Sequence, residues 1–337
     1  MKKIALFCCL IFAVNAYAAD AGYHVIKRLK IGGEGGWDYL TVDGSARRLY
    51  ISRGTHVMVV DLDTDKVIGD IPDTRGVHGI AVAPELNRGY TSNGKADTST
   101  IFDLKTLKTI GEVKTGNNPD AILYDPPSKR VFTFNGRSRD ATVFDAASGK
   151  VERTIALGGK PEFAVTDGKG KIYVNVEDSN EVVEIDSINT RVSRRFSLKP
   201  CDEPTGMGLD AEQGRVFSGC HNRIMTVLNT KSGKVIASVP IGGNVDGNGF
   251  DSGTGLVFSS NGDGTLTVVR EDSPGKFEVL ETVMTQRGSR TMAIDPKTHN
   301  IYLPAARFSQ PKASTLTGTK SRPEMIKDSF EVLVVGE

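Results

Sequence analysis

Tryptophan is almost absent from this chain of 337 residues, which holds one, Trp37, beside 8 Tyr and 14 Phe. A single indole leaves no aromatic docking repeat, which ranks a quinone-cofactor dehydrogenase last among the enzyme classes considered. Cysteine is nearly as scarce. The 4 thiols sit at positions 8, 9, 201 and 220, and Cys201 and Cys220 lack the Cys-x-x-Cys spacing of a dithiol redox centre. Neither sign of charge is in excess, with 42 basic and 41 acidic residues. That balance gives no long-range pull toward nucleic acid or anionic membrane, although it leaves room for a local basic patch. No stretch approaches the roughly 20 apolar residues of a membrane-spanning helix. Helical periodicity is missing as well, so the chain reads as all-β.

What is present begins at the N-terminus. Met1-Lys2-Lys3 is a basic start, Ile4 to Val14 a short apolar run, and Ala16-Tyr17-Ala18 a small-x-small cleavage site. This is the pattern of a secretory signal peptide over residues 1–18, and it predicts a periplasmic or secreted protein. Phe7 is bulky where lipid attachment at Cys8 would need a small residue, which favours plain export. Cleavage removes Lys2 and Lys3 from the 42 basic residues, leaving 40 against 41 acidic ones. It also leaves Cys201 and Cys220 as the only thiols, and in an oxidising compartment the expectation for such a pair is a disulfide.

Residues 19–337 carry one dominant signal. Tyr50, Tyr90, Phe132, Tyr173, Phe217, Phe258 and Tyr302 recur at steps of 40 to 44 residues in near-identical phrases. That period, with β-rich content in each unit, is the mark of propeller blades. Blade 1 shows the plan: Asp38 to Asp43, Arg48 to Ser52, His56 to Leu62 and Lys66 to Ile71 are short strands between Gly-, Ser- and Asp-rich turns. The third strand ends in Asp61, Asp103 or Asp145 in successive blades, residues suited to bonding turn backbone. The repeated aromatic is suited to filling the space between blades. The last unit has strands near Thr291–Asp295, Asn300–Leu303 and Phe330–Val335 but no fourth, while His24 to Ile31 alternates like a strand without a partner. The expectation is therefore a single seven-bladed propeller of four-stranded antiparallel blades, closed by the N-terminal strand completing the last blade. Residues 309–329 form a long polar loop within that blade.

The phrases Tyr50-Ile51-Ser52-Arg53, Tyr90-Thr91-Ser92-Asn93-Gly94, Phe132-Thr133-Phe134-Asn135-Gly136 and Phe258-Ser259-Ser260-Asn261-Gly262 resemble the Tyr-Val-Thr-Asn repeat of the bacterial YVTN-family propellers. With the export signal, the whole mature chain is similar to YncE-like periplasmic proteins. The match departs at Tyr173-Val174-Asn175-Val176 and Tyr302-Leu303-Pro304-Ala305, where the Asn is displaced or absent. The resemblance implies a seven-bladed propeller. It implies no particular chemistry, because many functions sit on this architecture.

In such a blade the start of the innermost strand and the turn between strands two and three meet at one mouth of the central channel. Twelve residues before each repeated aromatic stand Asp38, His78, Asp120, Pro161, Thr205, Asp246 and Arg290, with Glu162, Glu203 and Asn248 close by. Trp37 precedes Asp38 and can serve as a stacking wall or as a rim plug. Asp38, Asp120, Glu162 and Asp246 are candidate oxygen ligands for a divalent cation such as calcium, and equally candidates for protonated, raised-pKa acids. Asn135, Asn175 and Asn261 could add amide oxygens, and His78 or Glu162 a catalytic base. His221 lies in the second turn of blade 5, and Arg53, Arg137, Arg139, Arg223, Arg290 and Arg307 fall in or near turns of the same face. Gly32-Gly33-Glu34-Gly35-Gly36 leads into a strand rather than a helix, which makes it a flexible link and not a phosphate loop.

Two function classes follow. One is an exported binding or scaffold propeller that engages a small ligand, metal, peptide or protein at the mouth. The other is a metal-assisted hydrolase or lyase, lactonase-like, that uses the same carboxylates as ligands and His78 or Glu162 as base. No recognised catalytic motif is present, and the first class is the expectation.

Overall fold

Backbone N–H and C=O groups of an all-β chain must pair between strands, and here they do so in seven separate four-stranded antiparallel sheets. The computed structural model describes residues 22–309 and 323–337. The expected signal peptide, 1–18, and residues 310–322 of the polar loop lie outside the described residues. Each sheet is a meander in which the first strand lies innermost. These strands are Leu40–Asp43, Val77–Ala83, Pro119–Asp125, Pro161–Thr166, Pro204–Asp210, Val245–Asp251 and Ala293–Ile294 in blades 1 to 7. Each touches the first strand of the next blade, and the last returns to the first, which closes the ring. Blade 7 takes its outer strand from the other end of the chain, where His24–Lys30 pairs antiparallel with Glu331–Gly336. The expected closure is what the fold contains. Among the described residues the only helical pieces are two short 3₁₀ turns, Pro84–Leu86 and Glu177–Ser179.

The repeat has the physical basis its spacing suggested. All seven repeated aromatics are buried, each at 4% exposure or less, and they pack across blade boundaries. The rings of Tyr50 and Phe102, and of Tyr90 and Phe144, lie with centroids 5.9 Å apart. The third-strand aspartates hold their turns: Asp61 Oδ1 accepts the Thr64 N–H, Asp103 Oδ1 that of Thr106 and Asp145 Oδ1 that of Ser148, each at 2.7 Å. Cys201 and Cys220 form a disulfide with Cα atoms 5.5 Å apart.

The glycine-rich segment 32–36 does more than link. Positive φ at Gly32, Gly33 and Gly35 turns successive carbonyls toward one point. There the guanidinium of Arg53 donates to the carbonyls of Gly32, Gly33, Glu34 and Gly35 at 2.9 to 3.2 Å. Arg53 is fully buried and lies 3.7 Å over the ring of Phe330, so burial draws its pKa down to about 10. Blade 1, the connecting segment and blade 7 are thereby pinned together at the seam where the ring closes.

Candidate functional site: the charged mouth of the channel

A local irregularity builds the mouth. In blades 2 to 6 the pairing of the innermost strand with its neighbour shifts register at the start, between Val77 and Ile80, Pro119 and Ile122, Pro161 and Ala164, Pro204 and Met207, and Val245 and Gly247. Such bulges free a residue from the ladder and re-aim its side chain. The freed residues include His78, Asp120, Glu162, Thr205 and Asp246, five of the positions that counting back from the aromatic had selected or flanked.

The structure brings most of the expected residues together. His78 Nδ1 lies 2.6 Å from Asp38 Oδ2 and 3.6 Å from Asp120 Oδ1, bridging blades 1, 2 and 3. One ligand atom from each of these three lies within 4.8 Å of the others. A Cβ on Gly94 would meet His78 Nε2 at 2.6 Å, so glycine there leaves room for the imidazole. Asp246 faces Arg290 Nε at 3.0 Å. Glu162 Oε2 lies 3.1 Å from Lys160 Nζ, outside hydrogen-bonding geometry, and this buried oxygen has no hydrogen-bond partner among the described residues. Lys160 is instead hydrogen-bonded to Glu177.

The electrostatics follow from burial. Desolvation pushes Asp120 up to about 7 against the opposing pull of His78, and pushes Asp246 up to about 6 against that of Arg290. Burial and repulsion from Asp120 raise Glu162 to about 8. Desolvation alone would lower His78, but its bond to Asp38 and the charge of Asp120 overcome that and hold it near 9.

Sequence reasoning missed two residues. Tyr39, one position past Asp38, crosses the channel from blade 1 to reach Phe163 of blade 4, with ring centroids 5.1 Å apart. Tyr39 is 7% exposed. Its phenol is held well above its usual pKa, by burial first and then by the charges of Asp120, Glu162, Asp38 and Asp246. The available signal was an aromatic directly after a mouth residue in two nearly opposite blades: Asp38-Tyr39 and Glu162-Phe163.

Other candidates are placed elsewhere. Trp37 packs on Phe330 at 5.3 Å and Phe308 at 5.9 Å, at the seam of blades 7 and 1. Glu203 pairs with His221 on the exposed rim, and with Glu177 these form a second loose grouping. Thr205 Oγ1 donates to the Val245 carbonyl at the boundary of blades 5 and 6. The amides of Asn135 and Asn261 turn into their own hairpins to bond Thr142 and Thr267, and that of Asn175 donates to the Thr205 carbonyl. These bonds engage the amide nitrogens; the oxygens of Asn135 and Asn175 accept from Thr133 and Ser218, and that of Asn261 has no hydrogen-bond partner among the described residues. A hollow of about 1020 Å³ between blades 6 and 7 is lined by Arg287, Arg307 and Phe308 but by none of the mouth carboxylates, so size alone does not mark the site.

Fold and site together define a seven-bladed β-propeller with a charged axial mouth over an aromatic floor. No protein-family model and no curated protein matches the chain. Among solved structures it is similar to hydrazine synthase of Kuenenia stuttgartiensis, with TM-score 0.72 and 17% identity over 88% of this chain and 97% of that one. It is also similar to U3-55K, with TM-score 0.72 and 8% identity over 90% and 97%. At such identities the likeness carries the fold alone.

Proposed function

We propose that this chain is an exported β-propeller of the YVTN type that acts by binding, engaging a small ligand or a group on a partner at the charged mouth. The observation that carries this reading is convergence. Asp38, Asp120, Glu162 and Asp246 come from four blades, and the one hydroxyl of Tyr39 is influenced by all of them. Stability gives no reason to gather half-buried acids at one mouth, because desolvating those without a full partner costs free energy. The basic start and apolar run of residues 1–18 support export, and the Cys201–Cys220 disulfide fits an oxidising compartment. A second reading, metal-assisted hydrolysis, is favoured by the mutual approach of Asp38, His78 and Asp120.

A thermal-shift screen of the mature protein, purified without chelator and with bound metals quantified, tests both. The binding reading expects a compound that raises the Tm of the parent and not of Asp120→Asn/Asp246→Asn. Metal-dependent turnover of an ester or lactone that disappears in the same variant would replace it with the hydrolase reading. Ligands that stabilise parent and variant equally would place the site elsewhere.

A further inference from the structure

The mouth has a ligand preference written in its charges and its floor. Four acids gather at the mouth, and two of them have a base of their own: His78 at 2.6 Å from Asp38 and Arg290 at 3.0 Å from Asp246, while Lys160, 3.1 Å from Glu162, is shared with Glu177, to which it is hydrogen-bonded. Asp120 is left with a share of His78 at 3.6 Å. Asp120 and Glu162 thus each have only a share of a base, and both hold raised pKa values, as acids lacking full compensation do. A second, independent observation points the same way. Tyr39, next to Asp38, is more than nine-tenths buried and reaches across the axis to Phe163, next to Glu162, and among the described residues no hydrogen bond engages its hydroxyl. The rings of Tyr39 and Phe163, each next to a mouth carboxylate in sequence, meet across the axis with centroids 5.1 Å apart.

We infer that the mouth takes one organic monocation, an alkylammonium or guanidinium group, with Asp120 as its counter-charge, Tyr39 as an oxygen partner and the Tyr39–Phe163 pair as its floor. This deepens the binding reading and rests on it. A bare divalent ion suits the site less well, since a hard cation wants six to eight oxygen ligands. Here Asp38 and Asp246 are already engaged by His78 and Arg290, and Lys160 stands beside Glu162. An aromatic floor contributes nothing to a hydrated metal, yet it attracts an organic cation through its ring faces and covers the attached carbon chain. The same cation could belong to a free amine or to a lysine or arginine side chain of a peptide, and the probes below separate these sources.

The experiment is isothermal titration of the mature protein at pH 8 with butylammonium, butylguanidinium, calcium chloride and the peptide acetyl-Ala-Ala-Arg-Ala-Ala-amide. Saturable binding of one organic cation per chain is expected. Asp120→Asn should weaken it roughly ten- to a hundredfold, the range of a hydrogen bond to a charged group. Tyr39→Phe and Phe163→Leu should each weaken it by about two- to fivefold. Glu152→Gln, on the outer strand of blade 3, should leave it unchanged, with near-UV circular dichroism confirming that every variant is folded. Tighter binding of the peptide than of butylguanidinium would assign the cation to a polypeptide, and equal or weaker binding to a small molecule. Calcium binding that Asp120→Asn abolishes, with no organic cation bound, would overturn the inference while leaving the mouth as the site. Organic cations bound equally by parent and Asp120→Asn would overturn it too. If no probe binds and the ligand screen also fails, the binding reading falls with it.

Discussion

The ring of Tyr39 in blade 1 lies 5.1 Å from that of Phe163 in blade 4, so two nearly opposite blades of a seven-membered ring touch across its axis. Among the described residues the extensive contacts of the inner strands run between neighbours around the circle. This one contact ties the two sides together and floors the mouth. An aromatic pair of this kind is worth about 1 kcal/mol beyond the area it buries. A double-mutant cycle of Tyr39→Ala and Phe163→Ala, followed by urea denaturation, should therefore show a coupling of that size. Strictly additive losses would mean that the rings act independently.

The mouth also sets a pH dependence. Asp120, Glu162 and Asp246 hold folded pKa values of about 7, 8 and 6, all above the values near 4 of the unfolded chain. Groups raised in this way bind more protons folded than unfolded, so their contribution to stability is complete below pH ~4 and lost as pH climbs through 6 to 8. His78, raised from 6.5 to about 9, adds a loss of the same sign between those values. The Tm should accordingly fall from pH 5 to 9. Asp120→Asn, which cannot ionise, should flatten the slope between pH 5 and 7. A Tm that rises with pH over this range, or a variant with the parent's slope, would contradict the assignment.

Much of this was legible in the sequence, for a physical reason. A blade repeats its local needs, an aromatic to fill the inter-blade gap and an aspartate to hold a turn, so Tyr50, Tyr90, Asp61 and Asp103 recur at fixed spacing. The carboxylates were found by the same counting, because bulges at Asp120, Glu162 and Asp246 fall near one register in blades 2 to 6. What the sequence hid depends on contacts made once. Tyr39 and Phe163 meet three blades apart, and no period announces them. Arg53 replaces the Asn of the repeat, and its burial depends on carbonyls that Gly32, Gly33 and Gly35 turn toward it. The amides of Asn135 and Asn175 stand at the right face, but buried groups of the same or the next blade engage both their nitrogen and their oxygen.

Arg53 carries a prediction of its own. It is fully buried, donates to four backbone carbonyls and stacks on Phe330. Lysine keeps the charge but cannot present a planar fork to several carbonyls, and it leaves some of them unpaired. Arg53→Lys should lower unfolding free energy by roughly 2 to 4 kcal/mol, read from denaturant midpoints. A loss below about 0.5 kcal/mol would show that the glycine-rich segment finds other donors, such as water.

The disulfide should matter on a similar scale. Cys201 and Cys220 close a loop of 19 residues' separation that joins the connection after blade 4 to the second strand of blade 5. Constraining an unfolded loop of that length stabilises the fold by about 3 kcal/mol. Reduction, or Cys201→Ser/Cys220→Ser, should lower the denaturant midpoint accordingly. The Asp38–His78 pairing should survive, because both residues lie on the other side of the ring. An unchanged midpoint after reduction would mean that the surrounding packing already holds the loop.

Closure is the strongest dependence of all. His24–Lys30 supplies the outer strand of blade 7, and just before it Tyr23 packs against Phe258 of blade 6 at 5.2 Å. Without residues 19–31 the strand Glu331–Gly336 would present an open edge, and the segment that Arg53 holds would lose the strand that ties it to blade 7. A chain starting at Gly32 should lose its cooperative thermal transition or associate through that edge, as judged by calorimetry and light scattering. A synthetic peptide of residues 22–31, added in trans, should restore the transition by re-pairing with Glu331–Gly336. If the truncated chain melts cooperatively as a monomer near the parent's Tm, blade 7 is stable with three strands and the N-terminal strand is dispensable for closure.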